Sequence, residues 1–152
     1  METEIIYTLI CSFFCSAGFS VIFHISYKEL PIAGAVGVVT RAALLIAQQC
    51  TDNRLVFTMA AAVVGAFTAF NISQKRYTTT TKFLYPAFVP IIPGDLLYHT
   101  VVAFVSSETA DLYFNLSELS QALLGLALGA MIVPVVYRTR DYWRQLKKVK
   151  LN

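Results

Sequence analysis

The chain carries little charge for its length. Asp, Glu, Lys and Arg together make up 14% of its 152 residues, whereas 57% are hydrophobic. A soluble protein needs far more polar surface than this to keep its exterior in water. The shortage of ionised side chains therefore excludes an ordinary water-soluble globule and indicates an integral membrane protein.

The motifs by which many enzymes bind cofactors or metals are also missing. The sequence has no glycine-rich nucleotide loop, no HExxH pair, no serine nucleophile elbow and no ligand cluster with metal-binding spacing. Its three cysteines, Cys11, Cys15 and Cys50, are odd in number and lie in apolar segments, so we interpret them as packing residues. We expect no enzymatic activity, no cofactor and no metal.

Long apolar stretches are what the sequence does have. Each is close to the ~20 residues that an α-helix needs to cross a bilayer. The alternative, a soluble bundle of unusually apolar helices, would require every one of these bilayer-length segments to arise by coincidence. The sequence predicts an all-α, polytopic membrane protein with about five transmembrane helices in one domain, residues 1–152. The predicted spans are residues 5–26, 30–50, 55–73, 83–107 and 117–137.

The bases fall almost entirely into alternate gaps between these stretches. One side of the membrane then receives ten bases and the other receives Arg54 alone. Because cytoplasmic loops are enriched in Lys and Arg, we predict a cytoplasmic C-terminus and an N-terminus outside. The basic segment 138–150 is interpreted as a lipid-facing anchor rather than a nucleic-acid site. The ten bases are Lys28, Lys75, Arg76, Lys82, Arg138, Arg140, Arg144, Lys147, Lys148 and Lys150.

Three prolines and a glycine interrupt the fourth stretch at mid-membrane depth. Each proline lacks an N–H and clashes with the carbonyl four residues earlier, so a continuous helix is not expected there. Irregular backbone inside a membrane requires surrounding protein or a water-filled cavity, and many transporters build substrate sites from such broken helices. We predict a helix broken at Pro93-Gly94 by Pro86, Pro90 and Pro93.

Ionisable residues follow the break directly. A helix that restarts after Gly94 would point free N–H groups and its positive dipole end into the bilayer interior, where they attract a carboxylate or phosphate. Asp95 and His99 are four residues apart, with Tyr98 beside them, and can share a proton or contact an amino group on a substrate. In the alternative interpretation, Asp95 only caps the half-helix and His99 binds a nearby carbonyl.

Arg41 is the one base inside a predicted span. It lies roughly eleven residues, or about 16 Å, from either end of that span, too deep to reach an interface easily. A buried arginine must be paired or hydrated, so it should face the bundle interior or a cavity. Three interpretations remain open: Arg41 binds a substrate carboxylate, it forms a structural ion pair with Asp95, or the span is drawn in the wrong place.

Small residues recur at positions where helices would touch. Helix association in lipid depends on close backbone approach and van der Waals contact, which small residues permit. The pair in the last span forms a GxxxG motif that fits either a subunit contact or packing within the chain. The predicted packing glycines are Gly34, Gly37, Gly65, Gly125 and Gly129.

The residues around the break resemble a known family. The segment 86–100, with Pro90, Pro93-Gly94 and Tyr98, is similar to the proline-glycine segment of the threonine/serine exporter family, specifically its short membrane-only component. The sequence Gly34-Ala-Val-Gly37-Val-Val-Thr-Arg41 resembles that family's glycine-rich helix ending in arginine. The resemblance implies export of threonine and serine or of dicarboxylates such as succinate. It also implies a two-part transport unit, in which a chain of this length needs a larger partner subunit.

Residues and resemblance together lead to one functional hypothesis and one alternative. The hypothesis is a subunit of a secondary exporter for small carboxylate-bearing metabolites in a bacterial plasma membrane, forming half of an inverted repeat. Arg41, Gly94, Asp95, Tyr98 and His99 are its predicted substrate-binding residues. The alternative is a non-transporting membrane scaffold whose small-residue faces stabilise a partner protein; those faces would also suit a homo-oligomer.

Overall fold

The computed structural model describes the backbone of residues 2–107 and 109–149, and side chains within 3–107 and 109–140. Within those ranges the chain is helical and contains no strand. This confirms the all-α prediction. The helices are α1 (Glu2–Ile22), α2 (Leu30–Cys50), α3 (Arg54–Arg76), α4 (Thr81–Phe88), α5 (Gly94–Val105) and α6 (Thr109–Val149), with a short 3₁₀ turn at Val89–Ile91 between α4 and α5.

Four helices are long and apolar enough to cross a membrane by themselves. They are α1, α2, α3 and the portion of α6 from Thr109 to Arg140. A fifth crossing is made by α4, the 3₁₀ turn and α5 together, with a bend of 55° at the break. The structure thus confirms about five spans, the fourth of them broken. Below, the "basic side" is the side of Lys28, Lys75, Arg76 and Lys82, and the "Arg54 side" is the opposite one.

Local sequence explains where several helices begin and end. Pro31 lies in the first turn of α2, where its missing N–H leaves no hydrogen bond unmade. Asn53 caps α3 by accepting a hydrogen bond from the Leu55 amide at 3.1 Å. Tyr77 ends α3 in the left-handed conformation with φ 53°, and the two bases of the last turn suit the negative end of the helix dipole.

The last helix is longer than the sequence predicts. The predicted spans 83–107 and 117–137 leave residues 108–116 as a connecting loop. This prediction is wrong for residues 109–116, which are helical. No glycine or proline interrupts this stretch, and Asp111 in the first turn favours a helix N-terminus. Its polar residues therefore form two turns at the start of α6 rather than a connection. At the other end, α6 passes through Pro134 and extends to Val149.

Glycines determine which helices pack closely. A Cβ atom on Gly125 would lie 2.5 Å from the Leu55 carbonyl oxygen, and one on Gly129 would lie 2.6 Å from that of Met59. The GxxxG pair therefore brings α6 against the backbone of α3 within this chain. Gly34, Gly37 and Gly65 similarly face side chains of neighbouring helices, in turn Phe13, Ser16 and Thr40. Helix α2 packs against α1, α3 and α4 and so lies centrally.

Candidate functional site

A cavity of about 380 Å³ lies between the broken fourth span and helices α2 and α3. We call it the polar cavity, because most of its lining surface is polar. It extends from Arg41, midway along α2, to Arg54 at the start of α3, and so reaches toward the Arg54 side. The backbone of 91–96 forms one wall. The polar side chains lining it are Arg41, Gln48, Arg54, Thr58 and Asp95.

Arg41 stabilises a carbonyl that the helix break leaves without a helical partner. In a continuous helix the Pro90 oxygen would accept from residue 94, but the Gly94 amide bonds to the Ile92 oxygen at 2.8 Å. Pro93 has no N–H to offer instead. Arg41 Nη1 donates to the Pro90 oxygen at 3.1 Å. The arginine thus anchors α2 to the broken segment and supplies the donor that the Pro90 carbonyl lacks because of the break.

The remaining donors of the Arg41 guanidinium are available for another group. Its Nε is buried and has no hydrogen-bond partner among the described residues. Those residues also supply no acid within ion-pair distance of Arg41, so the pair with Asp95 is not formed. Helix α2 has the predicted bounds, Leu30–Cys50, so the span is not misplaced. A half-buried cation with an unused donor remains, which is a suitable partner for an anion.

The prolines, not the glycine, produce the break. Gly94 has no positive φ, and a Cβ atom added there would meet nothing within 4 Å. Pro93 occupies the N-cap of α5 at φ −79° and ψ 66°, and Pro90 is the second residue of the 3₁₀ turn. Pro86 was expected to contribute to the break, but it lies inside α4. A single proline removes one intrahelical bond and keeps a helical φ, so α4 continues past it.

The first turn of α5 presents unpaired amides to the polar cavity. Asp95 and Leu96 line the cavity, and within the described part of the chain their N–H groups have no acceptor. The amide of Leu97, one residue later, already bonds to the Pro93 oxygen at 3.1 Å. Two free N–H groups at the positive end of a helix dipole favour an anion. Arg41 lines the same cavity as these two residues, so both features attract negative charge there.

Asp95, Tyr98 and His99 are only partly brought to this cavity. Asp95 lines it, whereas Tyr98 and His99 do not. His99 Nε2 lies 3.4 Å from Asp95 Oδ1, and the Tyr98 ring meets the His99 ring edge-on at 5.5 Å. The side chains of Asp95 and His99 are 87% and 56% exposed, so the helices of this chain do not cover them closely. The structure shows His99 beside the carboxylate rather than on a carbonyl.

Arg54 is already paired with an acid. Its Nε donates to Glu118 Oε2, which ties the start of α3 to α6 at the Arg54 side of the polar cavity. The guanidinium also lies over the Phe57 ring, 5.7 Å from its centroid. The charge of Arg54 is therefore balanced within the chain, which leaves Arg41 as the lining arginine without a counter-charge in the described residues.

Four residues of this site escaped the sequence analysis as binding candidates: Gln48, Arg54, Thr58 and Glu118. Helical spacing could have found two of them, because Gln48 is seven residues after Arg41 on one face of α2, and Thr58 is four after Arg54. The pairing of Arg54 with Glu118 joins positions 64 residues apart. No local pattern predicts such a contact.

A second groove approaches Arg41 from the side of α1. It has a volume of about 370 Å³ and opens widely at the surface. Arg41 lines both spaces, and its hydrogen-bond partner Pro90 lines the second groove. The other lining residues of this groove are Tyr7, Thr8, Cys11, Ser12 and Cys15.

Comparison with protein families decides the identity. The family described as Threonine/Serine exporter, ThrE, matches residues 8–136, which is most of the chain. The chain belongs to the threonine/serine exporter family. The match covers all five crossings and includes Arg41 and the Pro93-Gly94 break, so it confirms the resemblance drawn from the sequence. No curated protein and no solved structure matches.

Membership in the exporter family, together with the apolar helices, makes this protein a multi-pass membrane protein and a component of a membrane transporter. The family is one of transporters, in agreement with the lack of enzymatic motifs in the sequence.

Proposed function

We propose that this exporter subunit binds the carboxylate of a small amino acid of the threonine/serine type at Arg41. The observation that carries the proposal is the guanidinium itself: it is fixed on the Pro90 carbonyl, its Nε has no partner in the described residues, and it lines the polar cavity. The free amides of Asp95 and Leu96, which also line the cavity, add donors. A bidentate carboxylate is the ligand that such an arrangement suits.

The charges around the polar cavity favour a zwitterion over a dianion. Arg54 is balanced by Glu118, so one unpaired cation, Arg41, and one acid, Asp95, line the cavity. An amino acid matches this pattern with its carboxylate at Arg41 and its ammonium group at Asp95. A dicarboxylate, the second candidate, would bring its second charge to the free amides beside the Asp95 carboxylate, which repels it. The Gln48 amide and Thr58 hydroxyl also line the cavity and can bind a substrate hydroxyl group.

A larger partner subunit completes the transport unit in this proposal. Tyr98 and His99 lie outside the polar cavity and are more than half exposed, and an ionisable side chain that faces acyl chains is strongly unfavourable. Protein or water must therefore cover this side of α5. A second half of opposite orientation would do so, giving an inverted repeat that rocks around the site in a bacterial plasma membrane, with the basic side cytoplasmic.

Replacing Arg41 tests the assignment. Charge-assisted hydrogen bonds contribute ~1.5–3 kcal/mol, so Arg41→Gln should lower serine or threonine export about 10- to 100-fold in cells that carry both subunits. Arg41→Lys keeps the charge without the planar fork and should retain an intermediate rate. The matched control is Lys75→Gln, which removes an exposed base outside the cavity and should leave the rate unchanged. Export by Arg41→Gln at the normal rate, with normal protein levels, would refute the role.

A labelling experiment separates transport from the scaffold alternative. A cysteine in place of Leu96, in a chain whose native cysteines are replaced by serine, would lie on the wall of the polar cavity. A transporter should allow a hydrophilic thiol reagent to label it, and serine should protect it. A scaffold buried against its partner has no aqueous path, so resistance to the reagent, with or without substrate, would favour that alternative.

A further inference from the structure

A second cavity, of about 260 Å³, lies between α3 and α6 and shares no lining residue with the polar cavity. We call it the apolar groove, because its lining surface is mostly apolar. Five aliphatic or aromatic residues form its length, and Tyr137 and Arg140 form one end. The five are Val63, Phe67, Ile132, Val133 and Val136.

The polar groups along this groove are satisfied within the chain. The Tyr137 hydroxyl donates to Asn71 Oδ1 at 3.1 Å, and Asn71 Nδ2 donates to the Phe67 oxygen at 2.9 Å. The Tyr137 ring also packs against the Phe70 ring, with centroids 4.1 Å apart. These contacts hold α3 and α6 in a fixed arrangement and satisfy the Tyr137 hydroxyl, so among the described lining residues only Arg140 has free donors. The groove therefore suits a hydrocarbon chain.

Positive charge is concentrated at the Arg140 end. The bond between Asn71 and Tyr137 aligns the end of α3 with this part of α6, so the groove ends on the basic side, where Lys75 and Arg76 lie in the last turn of α3. Arg140 makes no ion pair with any described side chain. The sequence 138–150 contains six bases, Arg140 among them, and one acid, Asp141. An anion with an apolar tail is complementary to this combination of groove and charge.

We propose that the apolar groove binds an anionic glycerophospholipid, with one acyl chain along Val63 and Val133 and the phosphate at Arg140. A guanidinium pairs with phosphate through two parallel hydrogen bonds, and cationic residues at the membrane surface attract anionic headgroups. A transmembrane helix of a protein partner fits less well, because it would cover Arg140 with apolar surface unless it brought an acid of its own. The bound lipid would contact residues of α3 and α6 that do not line the polar cavity.

Native mass spectrometry of the full chain, released from bilayer nanodiscs, tests the proposal. The probes are phosphatidylglycerol and phosphatidylcholine with identical acyl chains, and phosphatidylglycerol should be retained preferentially. A charge-assisted hydrogen bond contributes ~1.5–3 kcal/mol, so Arg140→Gln should lower retention about tenfold or more. Val136→Trp, which fills the exposed groove without entering the core, should lower retention of both lipids.

Arg138→Gln is the matched control, because it removes the same charge from the same helix without touching the groove. It should leave retention unchanged. Equal losses in Arg138→Gln and Arg140→Gln would show diffuse attraction to charge and overturn the proposal. Equal retention of the two lipids by the unmodified chain would overturn it as well. So would a cysteine at Val136 that cross-links efficiently to a second protein chain, since the groove would then be a protein interface.

Discussion

The fourth span and α6 both contain proline, yet only the fourth span is broken. Pro134 lies alone inside α6 and removes a single intrahelical hydrogen bond. Pro90 and Pro93 are three residues apart, and together they leave the Pro90 carbonyl without a helical donor. Closely spaced prolines thus change the path of the helix, whereas a single one in a packed membrane helix does not.

The same difference separates the two cavities. At the break, an unsatisfied carbonyl binds Arg41 and the restarted helix offers free amides, so the space beside it is polar. Along α6 the backbone is satisfied within the helix and only apolar side chains remain to line a groove. Broken backbone produces a site for a charged solute, and intact backbone produces a site for hydrocarbon. The predictions below test this relation.

Restoring the helix in the fourth span should have the largest effect. The double substitution Pro90→Ala and Pro93→Ala returns two backbone donors and lets the Gly94 amide bond to the residue 90 oxygen, in place of Arg41. The guanidinium then loses its anchor, a charge-assisted hydrogen bond of ~1.5–3 kcal/mol. We expect serine or threonine efflux from proteoliposomes that contain this chain and the proposed partner subunit to fall at least about tenfold.

Pro134→Ala is the control for this prediction, because it restores one donor in a helix that is already continuous. Its efflux rate should stay within about twofold of the original, since one hydrogen bond in lipid changes stability by only ~0.6 kcal/mol on average. Equal rates for the double variant and Pro134→Ala would show that the break is not required for transport.

The sequence predicted most of the fold because each span carries its own signal. A run of apolar residues as long as the bilayer is thick identifies a crossing without any knowledge of its neighbours. Pro93 likewise predicts the break from local sequence, since a residue without an N–H cannot continue the hydrogen-bond ladder of the helix. The start of α6 was missed because Asp111 and Asn115 are typical both of loops and of helix ends at an interface.

The site was predictable only where depth in the membrane gave a signal. Arg41 and Asp95 stood out as ionisable residues far from an interface. Tyr98 and His99 are equally deep, but the face of α5 that they occupy depends on how α5 packs against α6, and no local pattern encodes that. The partner of Arg41 was also unpredictable, because a backbone carbonyl becomes available only after the helix is broken.

Among the predicted effects, the second largest should come from Gly129→Leu, which disturbs the packing of α6 on α3. A side chain on Gly129 would collide with backbone atoms of Met59 and Val63 as well as Ala62 Cβ, so Gly129→Leu must push the two helices apart. Overpacking of this kind destabilises by ~1–3 kcal/mol. We expect the melting temperature of the detergent-purified chain to fall by several degrees.

Gly18→Leu is the matched control for this change. Gly18 is exposed on α1 and has nothing within 4 Å of the position that a Cβ atom would take. The same substitution there should leave the melting temperature unchanged or slightly higher, because leucine favours helix more than glycine does. Equal losses of melting temperature at the two positions would mean that the close contact between α3 and α6 is not what stabilises the chain at Gly129.

Glu118→Gln should give the smallest effect, in selectivity rather than rate. Glu118 pairs with Arg54, which lines the polar cavity. Its loss would leave Arg54 without this counter-charge in a cavity that Arg41 also lines. The cavity gains one positive charge, but both partners of the pair are partly exposed, so solvent limits the change to ~1 kcal/mol or less. We expect succinate to compete with serine efflux about two- to fivefold better.

Asp111→Asn, which removes the same charge in the first turn of α6, should leave that competition unchanged. An equal gain there would mean that overall charge, not the cavity, determines which solute is preferred.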